Sequence, residues 1–207
     1  YLMRSSGDNQ IDLNELRQWN KSLCSSGAVI LSLRIGAIRR ITKVAEETYH
    51  RLAGNEQQLV VKYVSTVPSL DGASLAEIEQ TMMDALEESI DRERRIGFTL
   101  VGPHRDDIGL EIDGVEMSRH ASRGQARLAA LALRLSEGDL LAEDKMESPI
   151  LLFDDVFSEL DDIRRQCVLD EAMRYHQSLL TITDLDLLPK FDVANTNYFN
   201  IQAGQVH

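Results

Sequence analysis

One stretch, Ile150 to Asp161 (ILLFDDVFSELD), constrains this chain more than any other. Four apolar residues run without interruption into two adjacent carboxylates. Such a run suits a parallel strand buried on both faces. Ligand sites in open α/β sheets lie just beyond the carboxyl ends of their strands. Asp154 and Asp155 therefore stand where a nucleotide is expected. In that reading Asp154 holds Mg²⁺, directly or through water, and Asp155 orients or deprotonates an attacking water. A strand ending in a solvated acidic turn explains the same letters, so the continuation matters. Ser158-Glu159-Leu160-Asp161 follows at once and opens a helix.

The rest of the chain supplies a setting. Residues 10 to 53 carry apolar side chains at helical intervals, among them Leu16, Leu23, Ile30 and Leu33, although Gly27 and Gly36 argue against one unbroken helix. Gly54-Asn55 reads as its stop. The β-branched run at 58–64 predicts a strand. Ser74 and Glu77 have the capping-box spacing and predict a helix over 74–95. Residues 97–101 and 108–112 read as short strands, and Asp113-Gly114 as a hairpin turn. Helices are predicted over 122–143 and 162–175, and strands over 150–154, 178–182 and 197–201. A strand–helix–strand ending predicts a parallel sheet covered by helices, so the fold class is α/β. The boundary falls near Lys145 to Pro149, between a mostly helical part and an α/β part.

Two further motifs carry chemistry. Ser122 can cap the helix that follows, with Gln125 as its capping-box partner. A helix start bearing a hydroxyl, with Gly124 permitting close approach to the backbone, suits an anion. An ordinary capped helix reads identically. Gly102-Pro103-His104-Arg105-Asp106-Asp107 packs a histidine, an arginine and two acids into one turn. Turn chemistry explains the Gly and Pro but not the rest. A salt-bridged loop and a site for phosphate or partner contact both remain open.

Charge narrows the choice of partners. The net charge is −12, with 34 acidic against 22 basic residues, so the chain as a whole repels polyphosphate at long range. Local basic candidates are Arg34, Arg39, Arg40 and Lys43, and Arg92, Arg94 and Arg95. Solvated helix faces would look the same. The cysteines, Cys24 and Cys167, show neither metal spacing nor a disulfide framework and are expected reduced and partly buried. No apolar run is read as long enough to span a membrane, and no membrane partner is expected. Tyr1 begins in mid-pattern, which suggests a fragment.

Taken together, GPHRDDIGLEIDG at 102–114, SRGQARLAALALRLSE at 122–137 and PILLFDDVFSELDDIRR at 149–165 resemble the RecF family of bacterial recombination-repair proteins, within the structural-maintenance-of-chromosomes group of ABC-type ATPases. The similarity is densest from about 97 to 188. The resemblance implies the C-terminal part of an ABC-type ATPase head. Residues 1–146 would form a helical second lobe with a small hairpin and the signature helix. Residues 147–207 would carry Walker B and the D-loop. It implies a cytoplasmic bacterial protein that dimerises around ATP and Mg²⁺ and binds gapped or junction DNA. RecO and RecR would be its partners, in recombinational repair and the SOS response. Ser122, Gly124 and Gln125 would face the partner protomer's ATP, Asp161 would lie at the dimer interface, and Thr183 would stand at the γ-phosphate sensor position. A non-catalytic scaffold of the same group is the alternative.

Departures are visible. No G-x-x-x-x-G-K-[ST] loop occurs in the 207 residues, so the chain alone is expected to be inactive. The signature lacks a second glutamine after Gly-Gln, and Ala121 stands where a glycine is expected. No histidine follows the 178–182 strand.

Overall fold

A computed structural model describes residues 13–54, 57–68, 70–146, 148–189 and 196–206. The chain divides into two compact units, residues 1–148 and 149–207.

The first unit is organised by helix α1, Leu13–Ala53, which runs 41 residues without a break. Against it pack α2 (Leu75–Ile96), α4 (Arg123–Lys145) and strand β1 (Leu59–Val64). Neither glycine breaks α1, contrary to expectation. At Gly27 the reason is close packing: an added Cβ would lie 2.7 Å from the Met82 sulfur of α2. Around that approach a core forms from Cys24, Ala28, Leu31, Val67, Ile78, Met82, Leu86 and Val101. Burial pushes the Cys24 thiol up to about 11, with Glu79 adding to the effect. Cys167 is half-buried, and both cysteines are free. By length and composition α1 could cross a membrane, which corrects the expectation of no such run. Core helices meet the same test, and α1 buries Leu16, Cys24, Ala28, Leu31, Tyr49 and Leu52 within this unit.

The capping boxes form as the sequence predicts. Ser74 Oγ accepts from the Glu77 N–H while the Glu77 carboxylate accepts from the Ser74 N–H, and Gly97 ends α2 in the left-handed region at φ 78°. β1 pairs antiparallel with β2 (Asp107–Ile112), which turns through Asp113 and Gly114, both at positive φ, into β3 (Val115–Glu116). A four-residue helix, α3 (Met117–His120), leads to α4.

The predicted strand at 97–101 is absent. Glu93, buried in α2, takes the Leu100 N–H at 2.7 Å, and the Gly102 N–H goes to Thr66 Oγ1. Backbone groups thus committed to side chains are withheld from a ladder.

In the second unit β4 (Ile150–Asp154) pairs in parallel with β5 (Gln177–Thr181) across α5 (Asp162–Ala172). Leu151, Phe153, Phe157, Leu160, Val168, Leu169 and Ala172 are buried. The expected burial of β4 on both faces is not observed. Ile150 is 60% exposed and Leu152 75%, and Leu179, the register partner of Leu152, is 48% exposed. Only the face of Leu151 and Phe153 is covered, so burial alternates along the strand. The predicted strand at 197–201 is instead a small hairpin, β6 (Ile201–Gln202) with β7 (Gln205–Val206), turning at Ala203 and Gly204.

Candidate nucleotide site

Asp154 ends β4 on its open face, and in the parallel register its partner is Thr181. The hydroxyl of Thr181 donates to Asp154 Oδ1 at 2.6 Å and accepts from the Asp155 N–H at 3.1 Å. One side chain therefore fixes both carboxylate residues. Asp155 stands at φ 46°, a left-handed conformation that non-glycine residues rarely adopt and that Asp tolerates best. The turn takes Asp155 out of the strand's alternation. Residues held in such conformations concentrate at functional sites.

The donor set suits a magnesium–nucleotide complex. Among the described residues no cluster of three or more His, Cys, Asp or Glu could cage a metal. Magnesium does not need one: beside phosphates it binds through one or two carboxylates and keeps several waters. Asp154 is exposed; its Oδ1 is oriented by Thr181, and its Oδ2 has no hydrogen-bond partner among the described residues.

Beyond the strand the chain turns at Phe157 and Leu160, whose side chains are buried, and enters α5. Asp161 caps that helix: Oδ1 accepts from the Arg164 N–H and Oδ2 from the Arg164 side chain. Thr183 is exposed in a bend two residues past Thr181, and Asp184 caps a short 3₁₀ turn at Leu185–Leu187. The hydroxyl that meets the acid pair is thus Thr181, which sequence reasoning missed. Ending β5 one residue earlier, at the close of the apolar run as β4 ends at its own, would have aligned Thr181 with Asp154.

In the first unit Ser122, Gly124 and Gln125 gather at the start of α4. Ser122 Oγ accepts from the Gln125 N–H at 3.2 Å, and Gln125 Oε1 accepts from the Ser122 N–H at 3.0 Å. Among the described residues the Ser122 hydroxyl proton has no acceptor. Charge at this end differs from that of the other helices longer than one turn. Helices α1, α2 and α5 each carry an acid in the first turn, but α4 has none and begins with Arg123. A cation there opposes the helix dipole, and an anion would relieve it. The acid pair lies in one unit and this helix start in the other.

The loop 102–107 is built around Asp106. Its carboxylate accepts from Tyr63 Oη (2.7 Å), Ser65 Oγ (3.0 Å), the Thr66 N–H (2.7 Å) and Thr66 Oγ1 (2.8 Å). Gly102 sits at φ 127° with Met82 close behind it. Arg34 donates to the Pro103 carbonyl and to Tyr63 Oη. Burial above all pushes the Tyr63 phenol above its usual value, with Asp106 adding to the effect and Arg34 opposing it. Among the described residues hydrogen bonds, and no salt bridge, hold the turn. Arg39 and Arg40 pair with Asp71 and Asp144, so that part of the suggested basic face is neutralised.

The chain is 36% identical over 196 residues to the DNA replication and repair protein RecF of Chloroflexus aggregans, and 38% identical over 201 residues to that of Symbiobacterium thermophilum. These alignments take in 93% and 95% of the chain. The chain spans about half the length of these curated relatives, 49% and 53%. No protein-family model matches it. Among solved structures it is similar to the recombination mediator protein RecF with ATPrS, of the RecFOR pathway, and to the same protein with ATP. Both have a TM-score of 0.79 and 27% identity, covering 99–100% of this chain and 53% of theirs.

Proposed function

Because the chain belongs to the RecF family, we propose that it supplies the Walker B strand, D-loop and signature helix of an ATP-hydrolysing DNA-repair protein. The observation that carries this reading is the Thr181 bridge, which orients Asp154 and holds Asp155 in its left-handed turn. Bound magnesium–ATP would place a labile γ-phosphate and its neutralising cation beside that pair. Asp154 would hold the metal and Asp155 would orient the attacking water. Ser122, Gly124 and the bare start of α4 receive the γ-phosphate of a partner protomer's nucleotide. The protein works as an ATP-dependent homodimer on gapped or junction DNA in the bacterial cytoplasm, with RecO and RecR as partners. The phosphate-binding loop missing from these residues comes from the remainder of a RecF-length chain. The 207-residue chain by itself does not hydrolyse ATP.

The test uses the full-length protein. Asp155→Asn should lower ATP turnover at least about a hundredfold, the usual loss when a positioned base is removed, while ATP binding persists. Ser122→Arg should abolish ATP-dependent dimerisation, measured by light scattering. Unchanged turnover in the first variant would favour a non-catalytic scaffold. Unchanged dimerisation in the second would overturn the two-protomer site.

A further inference from the structure

Between Arg92 and Asp106 the chain turns its carboxylates inward and its cations outward. Glu93 is only 2% exposed and accepts from Ser89 Oγ and the Leu100 N–H. Asp106 is engaged by the four donors described above. Arg92, Arg94, Arg95, His104 and Arg105 are all exposed. Several exposed arginines elsewhere pair with acids, among them Arg39, Arg40, Arg119, Arg134 and Arg174. Arg92, Arg94, Arg95 and Arg105 have no carboxylate partner among the described residues. Four arginines against two inward-turned acids make this a basic island on an acidic chain.

Arg105 is the most positioned of the group. Its guanidinium lies 4.6 Å from the centre of the Phe98 ring, and Nε donates to the Thr99 carbonyl at 2.8 Å. His104 also points a ring nitrogen at that carbonyl. The guanidinium plane is thereby fixed from its ring side and its Nε side. Both terminal nitrogens face no described acceptor, and a planar pair of N–H donors matches two phosphate oxygens. Phe98, 42% exposed beneath it, offers an apolar surface. The loop bearing these groups is held rigid through Asp106, Glu93 and the bond from Arg34 to Pro103, so little order is lost on binding.

We propose that Arg105, with His104 and the Arg94–Arg95 end of α2, is a phosphodiester contact for nucleic acid. This rests on the DNA-binding reading above and gives that reading a surface. The contact positions DNA without selecting its sequence, because phosphates carry no base information.

The test titrates fluorescent gapped DNA into the full-length protein at several salt concentrations, comparing wild type, Arg105→Ala and Arg39→Ala. Removing one phosphate contact should weaken binding of all sequences alike and lower the salt slope by about one. Arg105→Ala should bind about tenfold more weakly, while Arg39→Ala, whose cation is already paired, stays within about twofold. ATP affinity should not change. Unaltered DNA binding by Arg105→Ala overturns the contact and leaves the repair reading standing. Loss of ATP binding without loss of DNA binding reassigns the loop to nucleotide and also overturns it. Absence of DNA binding by wild type overturns both. Should Arg105→Ala not fold, carbethoxylation of His104 in the wild type decides: protection by DNA supports the contact, and equal labelling with and without DNA rejects it.

Discussion

Two of the three Asp-Asp pairs in the chain, Asp106–Asp107 and Asp154–Asp155, are used by the structure in opposite ways. Asp106 accepts four hydrogen bonds from three residues and is half-buried, so its charge is consumed in building a loop. Among the described residues Asp154 accepts one, from Thr181, and it is exposed. A carboxylate saturated by its own protein has nothing left for a ligand. One that is oriented but largely unoccupied can still bind a cation. The number of donors converging on each acid, which its neighbours in sequence do not reveal, separates scaffold from site.

The comparison can be broken by substitution. The largest effect on stability is expected at Asp106→Ala, which strands several donors at once and should cost about 3 kcal/mol in urea unfolding followed by circular dichroism. A loss below about 1 kcal/mol would mean that the loop does not depend on this carboxylate. Thr181→Val keeps shape and deletes the bridge. It should cost about 1 kcal/mol, since the exposed partners regain water. If its stability is unchanged, the bridge does not hold Asp155 in its left-handed turn. Asp154→Asn is expected to have the smallest effect, within about 0.5 kcal/mol in the same measurement, because the side chain supports little else. A loss comparable to that of Asp106→Ala would erase the distinction between the two pairs.

What could be read from sequence follows the range of the interactions involved. Both capping boxes, the Asp113-Gly114 turn and strand β4 depend on residues within about four positions of each other, and all form as expected. The strand expected at 97–101 fails because Glu93 reaches the Leu100 N–H across the end of α2, and because Thr66 reaches Gly102 from 36 residues away. Thr181 escaped notice because its partner lies 27 residues off and is chosen by strand register. The glycine at position 27 of α1 makes room for Met82 of another helix, a contact from 55 residues away. Ser122 and Gly124 were legible as a helix start. That α4 begins with a cation and no acid becomes informative only once the other helix starts are set beside it.

The uncovered face of β4 and β5 has a practical consequence. Among the described residues the parallel sheet has two strands and two free edges, and it also shows Ile150, Leu152 and Leu179 to solvent. Exposed apolar strands with unpaired backbone groups are templates for adding further strands. Handled as a 207-residue polypeptide, this chain therefore has a built-in route to precipitation. A charge placed at Leu152 would be expected to improve its recovery from cells.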